Sequence, residues 1–167
     1  MTDDPIEQRV GAALRERGET LAVAESCTGG LVGSLVTDVS GSSAYFDRSL
    51  VTYSYDAKQE LLAVSREALD AHGAVSEPVA TEMARGVRDT AGTDWGVATT
   101  GVAGPTGGSP ETPVGTVHIA VAHAAPWETG RSDCTVRHYE FDGSRTEVKA
   151  KIARQALVNL LERVRSQ

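Results

Sequence analysis

The stretch Thr20-Leu21-Ala22-Val23-Ala24-Glu25-Ser26-Cys27-Thr28-Gly29-Gly30 decides how this chain folds. Thr20 to Ala24 is a short apolar run of the kind buried inside a sheet. The polar turn Glu25 to Gly30 follows directly, and a second apolar stretch runs from Leu31 to Val39. The order reads as strand, turn, helix, the building step of an α/β domain.

Upstream, Asp4-Pro5 reads as a helix start, with Asp4 as the cap and proline in the first turn. Ile6, Val10, Ala13 and Leu14 recur at helical spacing, and Gly18 is a C-terminal stop. Downstream, Ser40-Gly41-Ser42-Ser43 breaks the second helix, and the β-branched and aromatic run Leu50 to Ser54 predicts a second strand. Lys58 to Val64 and Ser65 to His72 read as short helices. Ser76-Glu77-Pro78 starts a longer one through Ala91. Trp95 to Thr100 predicts a third strand, and Thr116 to His123 with Cys134 to Phe141 an antiparallel hairpin. Ser144 and Glu147 stand in capping-box register before a helix striped by Val148, Ile152, Ala156, Leu160 and Val164. The pattern predicts one α/β domain over residues 1–167, a three-layer α/β/α sandwich on a mainly parallel, mixed sheet of about five strands, one of them reversed.

The composition agrees with a single globular domain: 167 residues, 40% hydrophobic and 23% charged. At this length folding buries roughly 70% of the surface of the unfolded chain. A net charge of −7 argues against a nucleic-acid partner held by a basic surface. No apolar stretch has the length of a membrane span or the form of a secretory signal, and Thr2, Asp3 and Asp4 do not resemble a transit peptide. Cys27 and Cys134 are the only cysteines and stand far apart. A mature cytoplasmic protein is the expectation.

In such sheets ligands lie beyond the carboxyl ends of the strands. Two loops qualify. Ser26 to Gly30 offers hydroxyls and backbone N–H groups at a helix start, an arrangement suited either to an anion or to an ordinary N-cap turn. Thr100 to Pro110 carries four glycines and two prolines in eleven positions, costly to order unless something uses it. Its glycine spacing fits neither a P-loop nor a dinucleotide fingerprint. His72, His118, His123 and His138 lie on dissimilar elements without metal-ligand spacing, so no metal site is expected. Cys27 reads as a small buried filler more than as a nucleophile. What remains is hydroxyl chemistry. A short meander would bring Ser43, Tyr53 and Lys58 to one sheet edge, where burial could turn the lysine into a base; judged alone, Lys58 reads more often as a solvated helix residue.

Several motifs in order resemble the CinA C-terminal domain family: Ala24-Glu25-Ser26-Cys27-Thr28-Gly29-Gly30, Gly41-Ser42-Ser43, Val51-Thr52-Tyr53-Ser54 with Lys58, His72-Gly73-Ala74-Val75-Ser76, Thr100 to Pro105, and Pro113 to Val117. The resemblance spans nearly the whole chain. It implies a compact, usually dimeric α/β/α sandwich without the extra N-terminal domain some members carry. The implied activity is that of PncC-type amidohydrolases, which convert nicotinamide mononucleotide to nicotinate mononucleotide and ammonia without a metal or organic cofactor.

Carried over, the resemblance suggests Ser43 as nucleophile, preferred to Ser26, with Tyr53 and Lys58 moving protons. Ser26, Cys27, Thr28, Gly29 and Gly30 would line the site, Thr100, Gly101 and Gly104 would lie against the nucleotide, and Arg145 would hold phosphate. One departure is Tyr55, where relatives commonly have an amide. The expected partners are a small nucleotide and a second copy of the chain, with no nucleic acid and no membrane. The alternative from another class is a non-catalytic nucleotide-binding or sensor module linked to NAD metabolism or competence. An abnormally titrating Lys58 would favour the enzyme over that module.

Overall fold

A computed structural model describes residues 3–167; the first two residues of the expected domain lie outside it. The elements are α1 (Ile6–Arg17), β1 (Leu21–Glu25), α2 (Leu31–Thr37), a short 3-10 turn (Ser42–Ala44), β2 (Phe46–Val51), α3 (Tyr55–Leu62), α4 (Arg66–His72), α5 (Glu77–Ala91), β3 (Trp95–Gly101), β4 (Thr116–His123), β5 (Asp133–Glu140) and α6 (Arg145–Arg165). The sheet order is β2-β1-β3-β4-β5, with β1 parallel to both neighbours. Only β4 runs against the others, since it pairs antiparallel with both β3 and β5. The expected three-layer architecture with one reversed strand is what forms.

Alternation along the strands splits the core in two. Leu21, Val23, Trp95, Val97, Val117, Ile119 and Val121 pack under residues of α1, α2 and α6. Ala22, Ala24, Ala98, Ala120 and Ala122 face the other layer, with Leu62, Val79, Met83 and Val87. The alanines on that face let α5 approach the sheet closely. The approach is close enough that a side chain on Gly96 would run into the Ala84 carbonyl.

Several boundaries shift by one to three residues, among them α3, which starts at Tyr55 instead of Lys58, and two further differences stand out. The cap of α1 is Pro5 and makes no side-chain cap bond, so Asp4 does not serve there. More consequential, β2 is Phe46–Val51 instead of Leu50–Ser54. It is an edge strand carrying Asp47, Arg48 and Ser49, and its half-polar character hides it from an apolar-run search. The chain leaves the sheet after Val51, and the Ser54 hydroxyl caps α3 by accepting from Ala57 N–H at 3.0 Å. The capping box of Ser144 and Glu147 and the left-handed Gly18 after α1 are as read.

Candidate active site

The carboxyl ends of β1 and β3 meet the turns after β2 and before α5 around a cavity of about 330 Å³. Ser26, Cys27, Tyr53, Lys58, Thr100 and Arg145 are among its lining residues. Its size lies at the lower end of the range for small-ligand pockets. A larger cavity of about 480 Å³, between β4, β5 and α6, is lined by Thr135, Arg137, Asn159 and Arg163 and includes neither Ser26 nor Lys58.

The turn after β1 is built around Glu25, whose side chain is fully buried. One carboxylate oxygen accepts from Thr28 Oγ1 at 2.6 Å, Gly30 N at 3.1 Å and Val32 N at 3.0 Å. The other accepts from Gly33 N at 3.0 Å and from Ser49 Oγ at 2.6 Å. The carboxylate thus occupies the anion-binding end of α2 from within the chain. Thr28 is turned inward to Glu25 and, at 2.8 Å, to Thr99. Gly29 and Gly30 supply the positive φ values of +58° and +104° that the turn needs. Thr28, Gly29 and Gly30 therefore shape the turn and are not among the residues that line the cavity.

This turn presents Ser26, whose N–H donates to the Thr99 carbonyl at 3.1 Å. Lys58, buried on the first half of α3, reaches it: Nζ donates to Ser26 Oγ at 3.0 Å, to the Thr52 carbonyl at 2.6 Å and to the Tyr53 carbonyl at 3.2 Å. Burial pulls the Lys58 pKa down from 10.5 to about 8, because the charged form loses hydration that no carboxylate replaces. The neighbouring Cys27 thiol is pushed up to about 12, mainly by burial, and stays protonated at neutral pH.

The structure brings Ser26, Tyr53 and Lys58 together but not Ser43. Ser43 is exposed in the 3-10 turn before β2, whereas Lys58 acts at the carboxyl end of that strand. A six-residue strand separates them by roughly 17 Å at about 3.3 Å per residue. The Tyr53 side chain is 65% exposed at the rim; its hydroxyl accepts from Arg145 Nη2 at 3.4 Å, and only its backbone carbonyl touches Lys58.

Across the cavity, the buried Thr100 hydroxyl donates to the Ala74 carbonyl at 2.8 Å, tying β3 to the segment before α5. Gly101 lines the wall; Gly104 is held behind it, its carbonyl accepting from Arg145 Nη1 at 2.8 Å. Tyr55 is half exposed at the start of α3 and is not among the lining residues. Among the described residues no group of three or more His, Cys, Asp or Glu side chains is placed to hold a metal ion. Sequence reasoning missed Glu25. The available signal was a lone carboxylate ending an otherwise apolar strand, a position that demands a dense set of donors.

The CinA C-terminal domain family model matches residues 3–164. The chain is 47% identical to the nicotinamide-nucleotide amidohydrolase PncC of Escherichia coli, over 96% of this chain and 95% of that protein. It is 49% identical over 93% of its length to a CinA-like protein of Geobacter sulfurreducens, of which it spans 36%. It thus covers about a third of several longer CinA-like relatives. A crystal structure of a CinA superfamily protein from Klebsiella pneumoniae superposes with a TM-score of 0.90 at 36% identity, covering 97% of each chain. With its fold and nearly all of its length matched, the chain belongs to the CinA C-terminal domain family.

Proposed function

We propose that this protein hydrolyses the carboxamide of nicotinamide mononucleotide, with Ser26 as nucleophile and Lys58 as its base. The activity follows from the likeness to the Escherichia coli amidohydrolase. The observation that carries the mechanism is the 3.0 Å contact between Ser26 Oγ and a fully buried lysine amine whose pKa lies near 8. A binding module has no need of such a lysine, which supports the enzyme over the sensor reading.

Neutral Lys58 has two N–H bonds and one lone pair. The Thr52 and Tyr53 carbonyls accept the two N–H bonds, so the lone pair faces Ser26 Oγ. Lys58 takes the hydroxyl proton as Oγ attacks the carboxamide carbon. The N–H group of Cys27, which lines the cavity and is free of a backbone acceptor among the described residues, is the donor we assign to the oxyanion. Collapse of the tetrahedral adduct breaks the C–N bond, and the Lys58 ammonium protonates the departing nitrogen, which leaves as ammonia. Water then cleaves the Ser26 ester with Lys58 again as base, releasing nicotinate mononucleotide. Tyr53 and Arg145 border the rim, where Arg145 faces the nucleotide phosphate.

Ser43 falls outside this mechanism. The reading includes a homodimer, supported by the exposed Val51, Tyr53, Tyr55 and Leu61 around edge strand β2. It includes no nucleic-acid partner, supported by the net charge of −7, and a cytoplasmic setting, consistent with two free cysteines. Among the described residues no helix is long and apolar enough to cross a membrane. The test is to incubate the protein with nicotinamide mononucleotide and chelator and follow both products. Equimolar ammonia and nicotinate mononucleotide support the reading, and binding without turnover returns the sensor module.

A further inference from the structure

The geometry points to Lys149 as a second phosphate-binding cation, acting with Arg145 to select substrates that carry a phosphate monoester. This rests on the amidohydrolase reading and extends it to a residue that the sequence did not single out as part of the site.

The N–H groups of Gly30, Val32 and Gly33 at the start of α2 already donate to Glu25, so the helix end that usually holds phosphate is taken. Side-chain cations must do the work instead. Among the described residues seven of the sixteen lysines and arginines have carboxylate partners, as in Arg17 with Glu19, Arg88 with Asp89 and Arg163 with Asp133. Among the described residues Arg145 donates only to the neutral Gly104 carbonyl and Tyr53 hydroxyl. Lys149 has no carboxylate within ion-pair distance among the described residues.

Arg145 and Lys149 stand one turn apart on α6, which places their side chains on the same face of the helix. The half-buried Lys149 extends toward the turn that carries Ser26, and its Nζ lies 3.6 Å from where a Cβ on Gly29 would stand. The carboxylate between the two cations in sequence, Glu147, is folded back onto the Ser144 N–H at 3.1 Å in the capping box. Two like charges held together without a counterion form a receptor for a dianion, a guanidinium fork beside a point-charge ammonium.

The test compares nicotinamide mononucleotide with nicotinamide riboside, which carries the same amide without phosphate, in wild type, Lys149→Ala, Lys149→Arg and the control Lys151→Ala. Neither lysine lines the cavity itself; Lys149 Nζ stands beside Gly29 in the turn that carries Ser26, whereas Lys151 donates to the Asp142 carbonyl. In Lys149→Ala the preference for the mononucleotide over the riboside, as a ratio of kcat/KM, should fall about ten-fold through KM, and Lys149→Arg should restore it. An unchanged ratio in Lys149→Ala overturns the proposal. Titration with ribose 5-phosphate separates it from the hydrolytic reading. Binding by wild type that weakens about ten-fold in Lys149→Ala but not in Lys151→Ala supports the subsite even in a protein that hydrolyses nothing. No ribose 5-phosphate binding by wild type overturns it whatever the activity.

Discussion

Lys58 Nζ lies 2.6 Å from the Thr52 carbonyl and 3.0 Å from Ser26 Oγ, so the first residue after β2 holds the amine that reaches the serine. Pairing with carbonyls fixes the direction of the amine without supplying a counter-charge, and the lysine is left poised to lose its proton near pH 8.

The pH profile of kcat/KM should therefore rise through a single ionisation near 8 and level off above it, because only the neutral amine accepts the serine proton. Lys58→Ala should lose at least about 100-fold in kcat/KM and the ascending limb with it. A profile that is flat from pH 6 to 10 would remove Lys58 as the base.

The same burial makes a stability prediction. A folded-state pKa near 8 against 10.5 for the free side chain means that the unfolded chain binds more protons between those values, so stability rises with pH across that window. The contribution approaches about 3 kcal/mol, the full penalty being present below pH 8 and gone above 10.5. Urea unfolding at pH 7, 8, 9 and 10, compared with Lys58→Met, checks it. The wild type should gain on the variant as pH rises.

Glu25→Ala strips acceptors from three backbone N–H groups and two hydroxyls in a buried turn. It should cost about 3–5 kcal/mol, and Glu25→Gln about 1–3 kcal/mol, since an amide keeps one acceptor oxygen. Chemical denaturation gives both numbers. A loss under about 0.5 kcal/mol in the alanine variant would mean the turn does not depend on the carboxylate.

With its pKa raised to about 12, the Cys27 thiol should resist iodoacetamide in the folded protein at pH 8 and react only after unfolding. Peptide mass spectrometry of alkylated samples distinguishes it from Cys134. Rapid labelling of native Cys27 would show a thiolate that the surroundings do not predict.

The architecture was legible in the sequence where local signals agree. The apolar run into Ser26-Cys27-Thr28-Gly29-Gly30, the capping box at Ser144 and the stop at Gly18 all form as read. The site was only partly legible, and one boundary explains why. If β2 began at Leu50, Ser43 would sit in a loop long enough to meet Lys58. Because the strand starts at Phe46, it carries the chain across the sheet between them. Polar residues on an edge strand concealed that start. The Lys58 pairing was hidden for a different reason: it joins residues 32 positions apart, which no local spacing encodes.

The most direct test of the account measures ammonia and nicotinate mononucleotide release by wild type, Ser26→Ala and Ser43→Ala under identical conditions, with folding verified by circular dichroism. The account predicts equimolar products from wild type, a fall of at least about 1,000-fold in Ser26→Ala, and activity within about three-fold of wild type in Ser43→Ala. Turnover surviving in Ser26→Ala, or lost in a folded Ser43→Ala, would contradict it.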